Sequence, residues 1–356
     1  MRPSHLYVHR SRFVDYSPPS ITALAFSHPH LSKSSLIPAS LRLAIGRSNG
    51  DIEIWNPKGT WFHESTLKGG KGRSIEGLAW IQDTQSDGSQ LRLFSVGYSS
   101  VVTEWDLERG GPKTHVDCNG SVIWSLAAQP RVLCGKGPDG EELGQDLVVG
   151  LDDGSVTLLA TEGGPGSLEY KKTLAKSTSS KARILSLAWQ NRYTVVAGMA
   201  DSTIRVWDIR SGRILTRMAL GKGPAKKGTS REALVWAVRV LPNGDIISGD
   251  SRGEVLFWDG KTYSLRQRIK AHEGDVLTMD VNRAGDMVVA SGVDRRTVLF
   301  GLQMGGPQKG RWAEVVGRRL HSHDVRAVAV WEGGSISTMV SGGMLNYQGA
   351  SVTREN

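Results

Sequence analysis

The stretch VVAGMADSTIRVWDI (195–209) contains the pattern that decides the fold. Two runs of β-branched and aliphatic residues flank a short polar turn, and the second run ends in Trp207-Asp208. Apolar runs of this length on either side of turn-forming residues are typical of two antiparallel strands joined by a hairpin. The stretch therefore predicts a β-hairpin with a tryptophan near the end of its second strand.

Copies of this second strand recur along the chain. They are IEIWNP (52–57), VTEWDL (102–107), IRVWDI (204–209) and VLFWDG (255–260), with degenerate copies VTLLAT (156–161) and TVLFGL (297–302). The tryptophan position falls at 55, 105, 159, 207, 258 and 300, so successive steps are 50, 54, 48, 51 and 42 residues. Repeats of this length, each made of short strands, are typical of β-propellers, whose sheets cover one another's faces.

Another apolar run precedes each copy, and one more begins at residue 325. Because these runs are almost continuously apolar, we expect inner strands buried on both faces. The sequence predicts an all-β fold, a seven-bladed propeller forming a single domain over residues 1–356. The blades are expected at 20–68, 73–118, 120–175, 182–219, 232–270, 275–320 and 325–353 plus 5–17. The seventh should be closed by the N-terminal strand and incomplete, since no clear strand follows TMVSGG (338–343).

Composition narrows the possible functions. The 356 residues include 44 Lys and Arg against 35 Asp and Glu, a formal charge of +9 that favours nucleic acid or an acidic partner. No apolar run approaches the roughly 18 residues that span a bilayer, and the N-terminus lacks a signal-peptide core. Cys118 and Cys134 are too few for a disulfide framework or a zinc cluster, so we expect inert thiols.

The repeats resemble the WD-repeat family, whose blades often carry a polar network of His, Ser or Thr, Asp and Trp. In the sixth unit His272, Ser291 and Asp294 match that network, and Phe300 replaces the tryptophan. In the fourth unit Asp201 and Trp207 match, but the histidine is missing. The resemblance implies that these residues, together with Trp55, Trp105 and Trp258, are structural elements of the blades.

A closer resemblance rests on GSVIWSLAAQP (120–130), LVWAVRVLPNGDIISGDSRGEVLFWD (234–259) and HSHDVRAVAV (321–330). In their order these segments resemble the N-terminal propeller of the cirhin family, over residues 8–343. The family consists of U3 small nucleolar RNA-associated WD proteins of the small-subunit processome, which carry a second propeller. The resemblance implies a nucleolar scaffold in pre-18S ribosomal RNA processing and small ribosomal subunit biogenesis. Its implied partners are the 5′ external transcribed spacer of pre-ribosomal RNA, the U3 ribonucleoprotein and other WD-repeat and helical-repeat subunits.

Motifs of catalysis are absent from the sequence. The glycine-rich stretches GGKGRS (69–74) and GKGPAKKGTS (221–230) lack the G-x-x-x-x-G-K-[ST] pattern of a phosphate loop. Asp152 and Asp153 form a carboxylate pair, but LDDGS is typical of a hairpin turn. We therefore expect no enzyme, no cofactor, no metal and no small-molecule substrate.

Basic residues concentrate in the loops between blades, which a propeller places on one face. We call this set the basic rim: Lys68, Lys71, Arg73, Lys176, Lys181, Arg183, Lys222, Lys226, Lys227, Arg231, Arg318 and Arg319. Such residues neutralise phosphates without reading bases, so we expect salt-dependent RNA binding with little sequence preference. The alternative is a WD interaction platform, such as a substrate receptor or chromatin adaptor, that recognises acidic peptides across the same rim. Trp61 and Trp312 fall outside the blade pattern, and packing in an outer strand is the favoured interpretation.

Overall fold

The computed structural model describes residues 5–10, 19–28, 37–70, 73–82, 90–118, 120–130, 144–174, 182–221, 232–333, 336–343 and 347–353. Six blades are each built from four consecutive strands in the order inner to outer, paired antiparallel. Each apolar run bounded by Gly, Asn, Asp or Ser forms one strand, as expected for short hairpin-connected segments.

The strands of the first three blades are β2 (Ile21–Phe26), β3 (Leu43–Arg47), β4 (Ile52–Asn56) and β5 (Phe62–Leu67); β6 (Gly77–Gln82), β7 (Leu91–Val96), β8 (Val101–Asp106) and β9 (Gly111–Asp117); and β10 (Ile123–Ala128), β11 (Leu147–Leu151), β12 (Val156–Ala160) and β13 (Glu169–Thr173). The next three blades contain β14 (Ile184–Asn191), β15 (Thr194–Met199), β16 (Thr203–Asp208) and β17 (Ile214–Ala219); β18 (Val235–Val240), β19 (Ile246–Asp250), β20 (Glu254–Trp258) and β21 (Leu265–Lys270); and β22 (Val276–Val281), β23 (Met287–Gly292), β24 (Arg296–Leu302) and β25 (Trp312–Arg319). A short 3-10 helix (Gly306–Gln308) precedes β25.

The predicted blade count needs a correction. Six blades are continuous along the chain, whereas the remaining sheet is not a seventh run of consecutive strands. It joins β1 (His5–Arg10) to β26 (Val325–Gly333), β27 (Ile336–Gly343) and β28 (Tyr347–Thr353), in the order β1-β28-β27-β26. The expectation that this sheet is incomplete is wrong, because it has four strands. The terminal stretch was underestimated because its strand pairs on both sides, with β27 and β1, which local composition does not reveal.

A buried Ile or Val packs on the preceding blade at the start of each inner strand, or two residues before it for Ile75 of the second blade. In five blades the second strand has a glycine at the contact: Gly46, Gly150, Gly198, Gly249 and Gly342. A Cβ at Gly249 would lie 2.6 Å from Val276 Cγ1, and one at Gly342 would lie 2.5 Å from Ile21 Cγ2. The glycine of the second strand therefore leaves the space into which the next blade fits, including at the contact between the terminal sheet and the first blade.

Hydroxyl groups of the inner strands also connect neighbouring blades. The Ser186 hydroxyl donates to the carbonyl of Val235 in the next blade (3.1 Å), and the Ser125 hydroxyl donates to that of Ile184 (3.3 Å). Thr278 reverses the direction, since its hydroxyl accepts a hydrogen bond from the backbone N–H of Val328 (3.1 Å). Each bond satisfies a buried polar group that the apolar blade contact alone would leave unpaired.

The expected polar network differs from blade to blade. In the sixth blade His272 Nδ1 lies 3.0 Å from Asp294 Oδ1, while the Ser291 hydroxyl donates within its own hairpin to the carbonyl of Arg296. Trp105 and Trp258 each donate their indole N–H to a serine of the second strand, Ser95 (2.8 Å) and Ser248 (3.0 Å) respectively.

Two blades replace the usual network with an ion pair. In the fourth, where the histidine is missing, Arg205 Nη2 lies 2.6 Å from Asp201 Oδ2. In the first, Glu53 accepts a hydrogen bond from Trp55 Nε1 (3.0 Å) and pairs with Arg47 (2.8 Å). The histidine is therefore replaced by a cation or carboxylate that supplies a partner within the same blade.

The two tryptophans outside the blade pattern lie against the blades. Trp312 is buried and stacks on Phe257, with ring centroids 4.9 Å apart. Its backbone N–H and carbonyl both bond to the side chain of Gln267. Trp61 is half-buried and packs on the first blade's core. The favoured packing interpretation is confirmed for Trp312.

His321 lies in the connection between β25 and β26 and contacts the terminal sheet, a role that the sequence analysis missed. Its Nε2 lies 2.8 Å from the Ser341 hydroxyl, and the ring is buried. Burial lowers the pKa of His321 to about 4. Because an ordinary histidine has a pKa near 6.5, the neutral ring stabilises the folded chain above pH 6.5, and this contribution is lost as the pH falls towards 4.

Replacing Gly249 by Ala should lower the free energy of unfolding by about 1–3 kcal/mol, because the added methyl overlaps Val276. Urea unfolding followed by circular dichroism measures this loss. Gly111→Ala is the matched control, since nothing lies within 4 Å of its added methyl. An equal, small effect in both variants would contradict the proposed blade contact.

The acid sensitivity of the fold should decrease in His321→Gln. Between pH 7 and pH 5 the natural chain should lose about 2 kcal/mol more unfolding free energy than the variant, because the buried ring must be protonated. Urea unfolding at the two pH values tests this. His323→Gln, which changes an exposed neighbouring histidine, should retain the full pH dependence.

Candidate interaction face

Strand direction places two sets of connections on one face of the propeller. In an antiparallel four-stranded blade, the turn between the second and third strands lies at the same end as the loop leading to the next blade. Contacts agree with this placement: the Arg73 carbonyl packs on Gly50, and Arg252 Nη1 donates to the carbonyl of Gly221 (3.0 Å). We call this end the loop face.

Five members of the basic rim lie within the described residues. Lys68, Arg73, Arg183, Arg318 and Arg319 are all exposed, on loop-face connections or at the ends of the outer strands leading into them. The others fall outside the described part of the chain: Lys71, Lys176, Lys181, Lys222, Lys226, Lys227 and Arg231.

Ion pairs reduce the positive charge of the described rim. Lys68 Nζ lies 2.8 Å from Asp51, and Arg319 Nη2 lies 3.0 Å from Glu273. Arg183 Nε lies 2.6 Å from Asp152 Oδ1. The acids come from turns and loops distant in sequence, so counting charges in the inter-blade loops did not reveal them.

Two rim residues keep their charge available. Within the described ranges, no carboxylate pairs with Arg73 or Arg318, and both side chains are exposed. Arg73 lies after the first blade and Arg318 lies on the outer strand of the sixth, so the first blade and the terminal sheet separate them around the ring. The loop face therefore offers separated cations, and its largest basic loop (222–231) lies outside the described residues.

Aromatic residues at the centre of the loop face were missed by the sequence analysis. Tyr98 is 53% exposed, and its ring meets Trp124 edge-on at 5.7 Å. The guanidinium of Arg183 lies over the Trp124 ring at 5.3 Å, and Trp124 Nε1 donates to Asp152 (3.0 Å). The available signal was the tryptophan inside the inner-strand segment GSVIWSLAA, where the fourth and sixth blades have Leu185 and Leu277.

The Tyr98 phenol lies close to two charged side chains from other segments of the chain, Glu76 and Arg326. Burial, followed by the Glu76 carboxylate, raises the pKa of the Tyr98 phenol, while the Arg326 guanidinium opposes the rise. Glu76 precedes the inner strand of the second blade, and Arg326 belongs to the inner strand of the terminal sheet. The phenol therefore links two blades that are not neighbours, across the mouth of the central channel.

Other chemical sites have little support in the described residues. No group of three His, Cys, Asp or Glu side chains there could hold a metal ion. Burial raises the pKa of the Cys118 thiol to about 12, which makes it a poor nucleophile. Within the same residues, no helix is long and apolar enough to cross a membrane.

Comparison with known proteins found one matching repeat model and several proteins of similar sequence. Residues 169–208 match the WD domain, G-beta repeat, so the matched unit runs from the outer strand of the third blade to the third strand of the fourth. The chain is 43% identical over 339 residues to U3 small nucleolar RNA-associated protein 4 of Schizosaccharomyces pombe, covering 95% of this chain and 44% of that protein. The chain is a homologue of this protein.

Two further relatives support the same assignment. The Saccharomyces cerevisiae protein of the same name is 43% identical over 95% of this chain and 42% of its own length. The Homo sapiens homologue is 31% identical over 94% of this chain and 44% of its own length. The resemblance predicted from the sequence is confirmed. The chain spans under half the length of these U3-associated relatives.

Proposed function

We propose that this propeller is a non-catalytic scaffold of the small-subunit processome, working in the nucleolus in pre-18S ribosomal RNA processing. The observation that carries the proposal is the 43% identity over 95% of the chain to two proteins named for their association with U3 small nucleolar RNA. Its partners in this proposal are the U3 ribonucleoprotein, pre-ribosomal RNA including the 5′ external transcribed spacer, and other WD-repeat and helical-repeat subunits.

The basic rim is the RNA-binding element in this proposal. Its support is the excess of nine positive charges and the exposed Arg73 and Arg318, for which the described part of the chain holds no carboxylate partner. Lysine and arginine at separated positions suit the phosphates of a folded RNA, whose backbone crosses the face without base-specific contacts. Since Lys68, Arg183 and Arg319 have carboxylate partners, the lysines of the 222–231 loop become the larger contributors in this interpretation.

Changing Lys222, Lys226 and Lys227 to Glu together should weaken RNA binding and flatten its dependence on salt. Because the variant would neutralise three fewer phosphates, the slope of log affinity against log salt should fall by up to about 3. Fluorescence anisotropy with a labelled 5′ external transcribed spacer fragment, at about 50 and 200 mM salt, measures both quantities.

The matched control changes three lysines at the opposite end of the blades, Lys58, Lys113 and Lys261, to Glu. Lys58 and Lys261 lie in connections between third and fourth strands, and Lys113 lies near the start of the outer strand β9, so RNA affinity should change much less. Equal losses in the two variants would assign RNA binding to net charge and not to the rim. In cells, crosslinking that recovers no ribosomal spacer RNA with the full chain would contradict the processome assignment.

A further inference from the structure

The turn between the third and fourth strands of most blades inserts one large side chain into the junction with the preceding sheet. This residue lies two positions before the outer-strand residue that pairs with the blade tryptophan or its replacement, as Trp61 precedes His63, the partner of Trp55. In four blades it is large and packs in the hydrophobic cluster of that junction. We call these the wedge residues: Trp61, Leu168, Tyr263 and Trp312.

The second and fourth blades have a glycine at the wedge position, Gly110 and Gly212 respectively. In the fourth blade Tyr193 packs into the junction instead, and the guanidinium of Arg210 lies over its ring at 4.6 Å. In the second blade no described residue replaces the wedge, and a cavity of about 390 Å³ remains. One junction of the ring therefore has an open space at the end of the blades opposite the loop face.

This cavity, which we call the second-blade cleft, has an apolar floor. Two buried tryptophans line it, and both are held by hydrogen bonds. Trp80 Nε1 donates to the carbonyl of Ala25 (3.0 Å), and Trp105 Nε1 donates to the Ser95 hydroxyl (2.8 Å). The volume falls within the range of ligand-binding sites, so the cleft has room for an indole or phenol ring. Its other apolar lining residues are Ile54, Leu91, Leu107 and Pro165.

Phe62 stands at the edge of the cleft and is 65% exposed. It pairs with Asn56, which lies two residues after Ile54 on the same strand. Since alternate residues of a strand share a face, Phe62, Asn56 and Ile54 lie on the face of the first blade that meets the second. An exposed aromatic side chain beside a formed apolar cavity is typical of protein-binding sites, where such residues supply most of the binding energy.

Three cations line the cleft, and two of them are occupied within the protein. Arg92 is buried and donates to both carboxylate oxygens of Glu104 (2.9 Å each). Arg42 pairs with Glu64 and also donates to two backbone carbonyls. Lys113 is therefore the one lining cation that is left for a ligand.

The remaining lining carboxylates outnumber that cation. Asp106 and Glu108 line the cleft, and no lysine or arginine within the described ranges forms an ion pair with either of them. Lys113 extends towards the third blade, where its Cε lies 3.4 Å from the position of a Cβ on Gly166. Two carboxylates against one cation attract a basic group and disfavour both an acidic peptide and an RNA phosphate.

We propose that the second-blade cleft binds a partner protein, which inserts one aromatic side chain at the position of the missing wedge, next to a lysine or arginine. The inserted ring contacts Trp80, Trp105 and Phe62, and the cation contacts the carboxylates of Asp106 and Glu108. The site lies at the opposite end of the blades from the basic rim, so it does not depend on RNA binding or on the processome assignment.

Filling the cleft from within the chain tests the proposal. Trp61 (φ 58°) and Tyr263 (φ 57°) show that a wedge residue tolerates the left-handed backbone that Gly110 adopts (φ 73°). Gly110→Tyr should therefore fold and occupy the cleft. Gly212→Tyr is the matched control, because it adds the same side chain at the equivalent turn (φ 72°) of a junction that Tyr193 already fills.

A random phage-displayed peptide library is selected on the full chain and counter-selected on Gly110→Tyr, which removes peptides that bind elsewhere. The surviving peptides should contain Trp, Tyr or Phe beside Lys or Arg. Synthetic versions should bind Gly110→Tyr, Phe62→Ala and Glu108→Lys roughly tenfold or more weakly, and Gly212→Tyr normally. If thermal unfolding shows that Gly110→Tyr does not fold, the variants at the exposed Phe62 and Glu108 take its place.

Other results would overturn the proposal. One is that no peptide survives counter-selection, or that the survivors bind Phe62→Ala and Glu108→Lys as well as they bind the natural chain. Self-association in analytical ultracentrifugation that Gly110→Tyr abolishes would make the occupant a second copy of the chain. Loss of labelled oligouridylate binding in Gly110→Tyr but not in Gly212→Tyr would make it a nucleobase. The RNA-binding test of the 222–231 lysines has a separate readout, so failure of the cleft leaves the proposed function standing.

Discussion

The contact between a buried Ile or Val near the start of each inner strand and the second strand of the preceding blade is the constraint on which the propeller depends. Ile21, Ile184 and Val276 are almost fully buried, and each lies against a glycine whose missing side chain leaves room for it. A single sheet cannot bury both its faces, so the packing only becomes favourable when every blade accepts its neighbour. The second strand of the second blade has Val96 where five other sheets have glycine. Gly77, on the inner strand of the same blade, leaves the space that the Val96 side chain occupies.

This packing leaves the loop face free to vary. The core needs only the small residue and the aliphatic residue at each contact, and the hydroxyl bonds of Ser125 and Ser186 complete the junctions. In six inner strands a β-bulge next to the contact places one side chain per blade at the channel without altering the junction. The same backbone repeat therefore presents tryptophan in two blades and arginine in another, which is how a repetitive fold acquires an asymmetric surface.

Repetition made the fold predictable, and long-range pairing limited the prediction of the site. The spacing of Trp55, Trp105 and Trp258 indicated the six continuous blades, because each blade is a local segment. The terminal sheet was judged incomplete because the segment after TMVSGG has no clear strand pattern, although that segment pairs with both β27 and β1. Ion pairs such as Arg319 with Glu273 join loops 46 residues apart, so charge counting overestimated the available cations. The aromatic residues at the channel mouth could not be predicted, because the sequence does not show where β-bulges redirect the side chains of Trp124 and Trp236.

Pairing of β1 with β28 has a consequence for the growing chain. Arg10 lies opposite Gln348, so 338 residues must be added before the first strand can meet its partner. At a synthesis rate of about 5–20 residues per second, that strand stays without its native neighbour for roughly 20 to 70 s. Six blades can form one after another on the ribosome in that time, but the ring stays open with two exposed blade edges. The edge of β1 therefore stays without its native partner until β28 has been synthesised.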